Sequence, residues 1–171
     1  TDAQRNTAEQ RAKRMGLDHF LGAIYSMPGF EFPIAPDGEA LVAPDILQKE
    51  VRGEYKARCA VIELPRDFEK PNPAGLKKIL STYGLPPDEV LVVGDSLKKD
   101  MAIARELGCK SCWAEYGTYV SLEYRERLDI ISSNAITRRH AASVYESDLP
   151  PHQTPAISNF RQILDFVAQA S

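Results

Sequence analysis

In the stretch Val90-Leu91-Val92-Val93-Gly94-Asp95-Ser96-Leu97-Lys98-Lys99-Asp100 an apolar run gives way to two carboxylates. If the run is a strand and the residues after it a helix, Asp95 leaves the strand end and Asp100 sits one turn into the helix. Both then face the rim where open α/β sheets bind their ligands. Two carboxylates so placed are hard oxygen donors of the kind Mg²⁺ takes, and Gly94 permits close backbone approach beside them. A plainer reading stays open at this point, since Gly-Asp-Ser is also what a tight turn with a helix cap uses. Glu69-Lys70-Pro71-Asn72-Pro73, just ahead of the preceding helix, moves the balance. A lysine there can reach the same crevice and neutralise a phosphoryl group and the acids around it as a point charge.

The elements that must position these residues are legible. Leu76, Ile79, Leu80 and Tyr83 recur at helical spacing, Gly84 stops the helix, and Pro86-Pro87-Asp88 turns the chain into the run Val90–Val93. That run lacks polar alternation, as in a parallel strand covered on both faces. A second helix is expected from about Leu97 to Leu107, ended by Gly108, and a short strand from Ser111 to Ala114, which makes a right-handed βαβ unit. Upstream, Ala8, Ala12 and Met15 fall on one side of a helix from Gln4 to Met15, with Thr1 or Asp2 to cap it and Gly16 to end it. Leu21 to Tyr25 has strand length. The proline-broken stretch from about 27 to 67 reads as a large insertion, in which Ala57 to Leu64 is the one apolar run of strand length. Downstream, Leu122 to Ile131 looks helical and Ser132 to Pro155 loop-like. Ala156-Ile157-Ser158 is a candidate edge strand, and Asn159 can cap a last helix with an apolar stripe of Phe160, Ile163, Leu164 and Val167.

With 171 residues, 43% hydrophobic and 26% charged, the chain has the composition of one globular domain. A formal net charge of −3 offers no basic field for a polyanionic backbone, so nucleic acid is not an expected partner. No apolar run has the length of a membrane span, and no membrane partner is expected. Cys59, Cys109 and Cys112 are an odd count that suits a reducing compartment, so the expected location is cytoplasmic. Cys109-Lys110-Ser111-Cys112 has redox spacing, yet it leads into a strand rather than opening a helix, where a thiolate would be stabilised. His19, His140 and His152 show no ligand spacing. Nothing in the residues specifies an oligomeric state.

Lys70-Pro71-x-Pro73, a helix, an apolar strand, then Gly94-Asp95-Ser96-x-x-x-Asp100 and a helix ending in Leu107-Gly108 together resemble the third and fourth motifs of the haloacid dehalogenase superfamily. The resemblance covers about residues 70 to 117. Carried backward, Thr1, the helix after it and Gly16-Leu17-Asp18-His19-Phe20 are similar to the second motif. The resemblance implies a Rossmann-like α/β fold with a mainly parallel sheet and flanking helices, incomplete at its N-terminal side. Residues 1–171 would be the C-terminal part of such a core domain, with the insertion at about 27–67.

It further implies a Mg²⁺-dependent phosphohydrolase or phosphotransferase acting on a small phosphorylated metabolite through an aspartyl-phosphate. Asp95 and Asp100 would hold the metal, and Lys70 and Thr1 would form the catalytic set, with Lys70 balancing charge and contacting the phosphoryl group. Thr1, and Ser96 beside it in role, would bind phosphoryl oxygens. Haloacid dehalogenation is the less expected branch, because it has no need of a metal and Asp95 with Asp100 look like metal ligands. The family's nucleophile sits in an Asp-x-Asp that this sequence does not contain. That motif is expected upstream of Thr1, on a strand lying between the one that ends at Thr1 and the one that ends at Asp95, and residues 1–171 alone are expected to be inactive. The rival reading is a non-catalytic member of the family that keeps the scaffold as an interaction module.

Overall fold

The computed structural model describes residues 1–30, 35–37, 49, 51–118 and 154–168, which fall into two compact units, Thr1–Glu69 and Lys70–Ser171. The expected helix from Leu122 to Ile131, the loop up to 153, and His140 and His152 lie outside the described residues. No helix among the described residues is long and apolar enough to cross a membrane.

In the first unit, helix α1 (Arg5–Arg14) is followed by strand β1 (Ala23–Ser26), which pairs in parallel with β2 (Ala60–Glu63). The expected stretch from about 27 to 67 thus supplies a strand near its end. Ala8 and Ala12 pack on Ile24, with Ala3, Ala57, Cys59 and Val61 around them. Two details differ from expectation. Neither Thr1 nor Asp2 occupies the cap position of α1, which falls to Gln4 without a side-chain cap bond. The Thr1 hydroxyl instead accepts from Ala3 N at 3.2 Å, and the start of the helix is fixed by Arg5 N donating to Met27 O at 2.9 Å. Met15 is exposed, because it lies past the last helical turn and Gly16 takes the chain away at φ 68°.

In the second unit, helix α2 (Ala74–Tyr83) opens with Asn72 Oδ1 accepting from Ala74 N at 2.9 Å and ends at Gly84, whose φ of 63° is left-handed. Strand β3 (Leu91–Gly94) follows, then a π-helical turn (Leu97–Met101) that runs into helix α3 (Ala102–Leu107) and strand β4 (Lys110–Ala114). Strand β5 (Ala156–Ile157) and helix α4 (Ile163–Ala168) complete it. The strands are parallel, in the order β3-β4-β5 among the described residues.

Side chains of β3 alternate between two clusters, as period two demands. Val92 packs on Leu97, Met101 and Trp113, whereas Leu91 and Val93 pack on Cys112, Ala114 and Ile157. That is why the run lacks polar alternation. The strand is nonetheless only half-buried along its length, and among the described residues it pairs on one side, with β4. The stripe expected on the last helix is shifted as well. Phe160 and Leu164 are exposed, and Ile163 and Phe166 make the contact, because residues Phe160–Gln162 form a tighter 3₁₀ turn that changes the phase. Tyr83, expected on the inner face of α2, is exposed too.

Candidate active site

The candidate residues of the second unit converge at the C-terminal end of β3. Lys70, joined to Pro71 by a cis peptide bond, donates from Nζ to Asp100 Oδ1 at 2.6 Å. The other carboxylate oxygen of Asp100 accepts from Ser96 N at 3.3 Å. Ser96 is the cap of the turn that follows, its hydroxyl accepting from Lys99 N at 3.2 Å. Asp100 N and Met101 N both bond to Ser96 O, at 2.9 and 3.1 Å, so the backbone widens there into a π turn. Such turns are frequent at functional sites. Here the widening folds Asp100 back over the residues that flank Asp95. Its side chain is only 12% exposed, and a Cβ placed on Gly94 would fall on the Asp100 side chain. Gly94 has an ordinary φ, so room for Asp100, not backbone conformation, is what demands glycine.

Asp95 itself is exposed at the rim. It is held from strand β4: Trp113 Nε1 donates to Asp95 O at 3.0 Å, and a Cβ on Gly117 would come within 2.8 Å of Asp95 Cβ. Neither Trp113 nor Gly117 was singled out from the sequence. The available signal was a lone tryptophan in an apolar strand, since a buried indole N–H needs an acceptor.

Lys70, Asp95, Ser96 and Asp100 therefore gather as expected. Thr1 belongs to the first unit, where its backbone N donates to Tyr25 O at 2.8 Å. The stretch Gly16–Phe20, matched to the second motif, contains Asp18, which is buried and accepts from Arg58 N at 3.2 Å and Lys13 Nζ at 3.4 Å. Burial alone would raise its pKa, but the Arg58 N–H and the Lys13 ammonium outweigh it and hold it below the ordinary carboxylate range. Cys109 and Cys112 are buried, which pushes both thiols up and suits packing rather than redox work.

No group of three or more His, Cys, Asp or Glu converges on a cage for an ion among the described residues. Asp95 and Asp100 offer a pair of hard oxygen ligands instead, one exposed and one seated by hydrogen bonds. That set fits an ion which keeps several of its waters, as Mg²⁺ does.

Residues 68–143 match a family model described as "HAD-hyrolase-like". Over these residues the chain is similar to the haloacid dehalogenase superfamily. Over 70 residues it is 40% identical to glyceraldehyde 3-phosphate phosphatase of Pyrococcus furiosus, an alignment covering 38% of this chain and 29% of that protein. Over 92 residues it is 33% identical to phosphoglycolate phosphatase of Vibrio vulnificus, covering 52% of this chain and 38% of the relative. The chain thus spans well under half the length of these curated relatives. Among solved structures, a 2-haloacid dehalogenase from Pseudomonas syringae pv. Tomato aligns over 95% of this chain and 53% of its own, with a TM-score of 0.43 and 15% identity. The matched range includes Lys70, Asp95, Ser96 and Asp100.

Proposed function

We propose that this chain is part of a Mg²⁺-dependent phosphatase acting on a small phosphate monoester. The observation that carries the reading is the Lys70–Asp100 contact at 2.6 Å, with Asp100 folded against Gly94 and Ser96 at a parallel strand end. Lysine and carboxylate from separate elements are brought to one rim, where ligands of α/β sheets bind. The phosphatases of small phosphorylated compounds among the relatives support the substrate class.

In this reading Asp95 and Asp100 hold Mg²⁺, which when bound supplies positive charge for phosphoryl oxygens. Asp100 orients the Lys70 ammonium, and Lys70 offsets negative charge that gathers as the phosphoryl group is transferred. Ser96 keeps the turn that carries Asp100 closed. The phosphoryl contact assigned to Thr1 by the resemblance is tested by Thr1→Val. The nucleophile of an aspartyl-phosphate route would be a carboxylate supplied from outside these residues, since the sequence contains no Asp-x-Asp. Residues 1–171 alone should then release no phosphate from an aryl phosphate.

The deciding experiment assays the full-length protein on an aryl phosphate with and without Mg²⁺, beside Asp95→Asn and Asp100→Asn. Activity that needs Mg²⁺ and is lost in both variants is the expected result. Near-normal turnover in Asp95→Asn would remove the metal role, and inactivity of the full-length wild type on any phosphate monoester would favour a non-catalytic scaffold.

A further inference from the structure

Strand β4 carries nothing that the proposed chemistry uses, yet it makes the described contacts that hold Asp95 from outside its own strand and turn. Gly94 and Trp113 are paired across the β3–β4 ladder. This register brings the indole beside the strand end, where its N–H reaches Asp95 O at 3.0 Å. The ring is 6% exposed and packs with Leu97 and Met101, at 2% and 1%, along with Val92 and Ala102. Leu97 and Met101 are the first and last residues of the π turn that contains Asp100. One side chain therefore touches the supports of both carboxylates, by a hydrogen bond on one side and by packing on the other. Just beyond β4, Gly117 lies against the Asp95 side chain, closer than a Cβ would allow.

We infer that Trp113 is a positioning residue: its indole fixes the Asp95 backbone and its ring seats the π turn of Asp100, so that the two carboxylates are spaced for one divalent cation. The inference rests on the metal-binding reading above. A strand-end carbonyl could bond to water instead, but water would leave the peptide free to rotate and carry the carboxylate with it. The indole bond comes from a side chain locked by packing, which is how ligands are held to within a fraction of an ångström.

The test is binding of Mn²⁺ alone to the full-length protein, followed by the electron paramagnetic resonance of free Mn²⁺ with no substrate present. Trp113→Phe keeps most of the ring and removes the N–H, and it should weaken Mn²⁺ binding by about five- to tenfold, the worth of one neutral hydrogen bond. If that variant does not fold, Gly117→Ala serves, because it pushes on Asp95 Cβ while leaving the indole and its cluster intact. The same weakening is expected from it. Urea unfolding separates positioning from mere packing: a Trp113→Phe protein that loses stability yet binds Mn²⁺ like wild type overturns the inference. Asp95→Asn is the control for the underlying reading. Loss of binding in Asp95→Asn with wild-type binding in Trp113→Phe sinks the positioning role alone, whereas wild-type binding in Asp95→Asn sinks the metal site and the inference with it.

Discussion

Gly94→Ala is the substitution in which the geometry of the site can be read as a free energy. The added methyl would overlap Cβ, Cγ and Oδ2 of Asp100, closer to each than a real Cβ contact allows. Rotating the Asp100 side chain does not relieve this, because its Cβ is fixed by the backbone of the π turn. Either the end of β3 or the turn must move. Forcing a methyl into a packed site costs about 1–3 kcal/mol, while alanine at an ordinary φ returns about 0.4–1 kcal/mol by stiffening the unfolded chain. A net loss of about 1–2 kcal/mol is expected.

The assay is urea unfolding of the full-length protein in a double-mutant cycle with Asp100→Gly, which removes the obstructing side chain. In the Asp100→Gly background, Gly94→Ala should cost little or become stabilising, giving a coupling of about 1–3 kcal/mol, well beyond the few tenths expected of independent sites. Additive losses, or a Gly94→Ala protein as stable as wild type with full Mn²⁺ affinity, would refute the claim that Gly94 exists to admit Asp100.

Lys70→Ala in the full-length protein should lower turnover of an aryl phosphate by orders of magnitude and stability by only about 1 kcal/mol, since the pair is partly exposed; a loss of turnover below tenfold would make Lys70 a structural partner of Asp100 and no more. Asp18 has a depressed pKa in the folded state, so its contribution is present above the unfolded carboxylate pKa and is lost as pH falls through the folded value. Asp18→Asn should therefore flatten the acid limb of stability against pH, and an unchanged limb would contradict the assignment. Alkylation at neutral pH should modify the half-buried Cys59 before Cys109 and Cys112, whose thiols are raised by burial. Peptide mapping by mass would show the opposite order if either buried thiol were activated.

Much of the second unit was written in local signals. Gly84 and Gly108 end helices because each adopts a left-handed φ that other residues resist, and the apolar run before Gly94 marked β3 because both its faces meet side chains. The types and order of Lys70, Asp95, Ser96 and Asp100 sufficed to place them at one rim, since a strand end and the first turn after it are neighbours in any parallel α/β unit. Where the sequence spoke less clearly, longer-range contacts decided. Met27, far along the chain, fixes the start of α1 in place of a local cap. Phe160 and Leu164 lost the inner face of the last helix to Ile163 and Phe166 through a 3₁₀ turn that periodicity alone does not reveal. The π turn depends on which carbonyl the Met101 N–H selects, and the hold of Trp113 on Asp95 depends on the β3–β4 register. Residue types and spacing set which groups could do the chemistry, because those are properties of single side chains and short segments. How firmly each group is held is a matter of partners distant in sequence, and those are chosen only when the strands pair and the core closes.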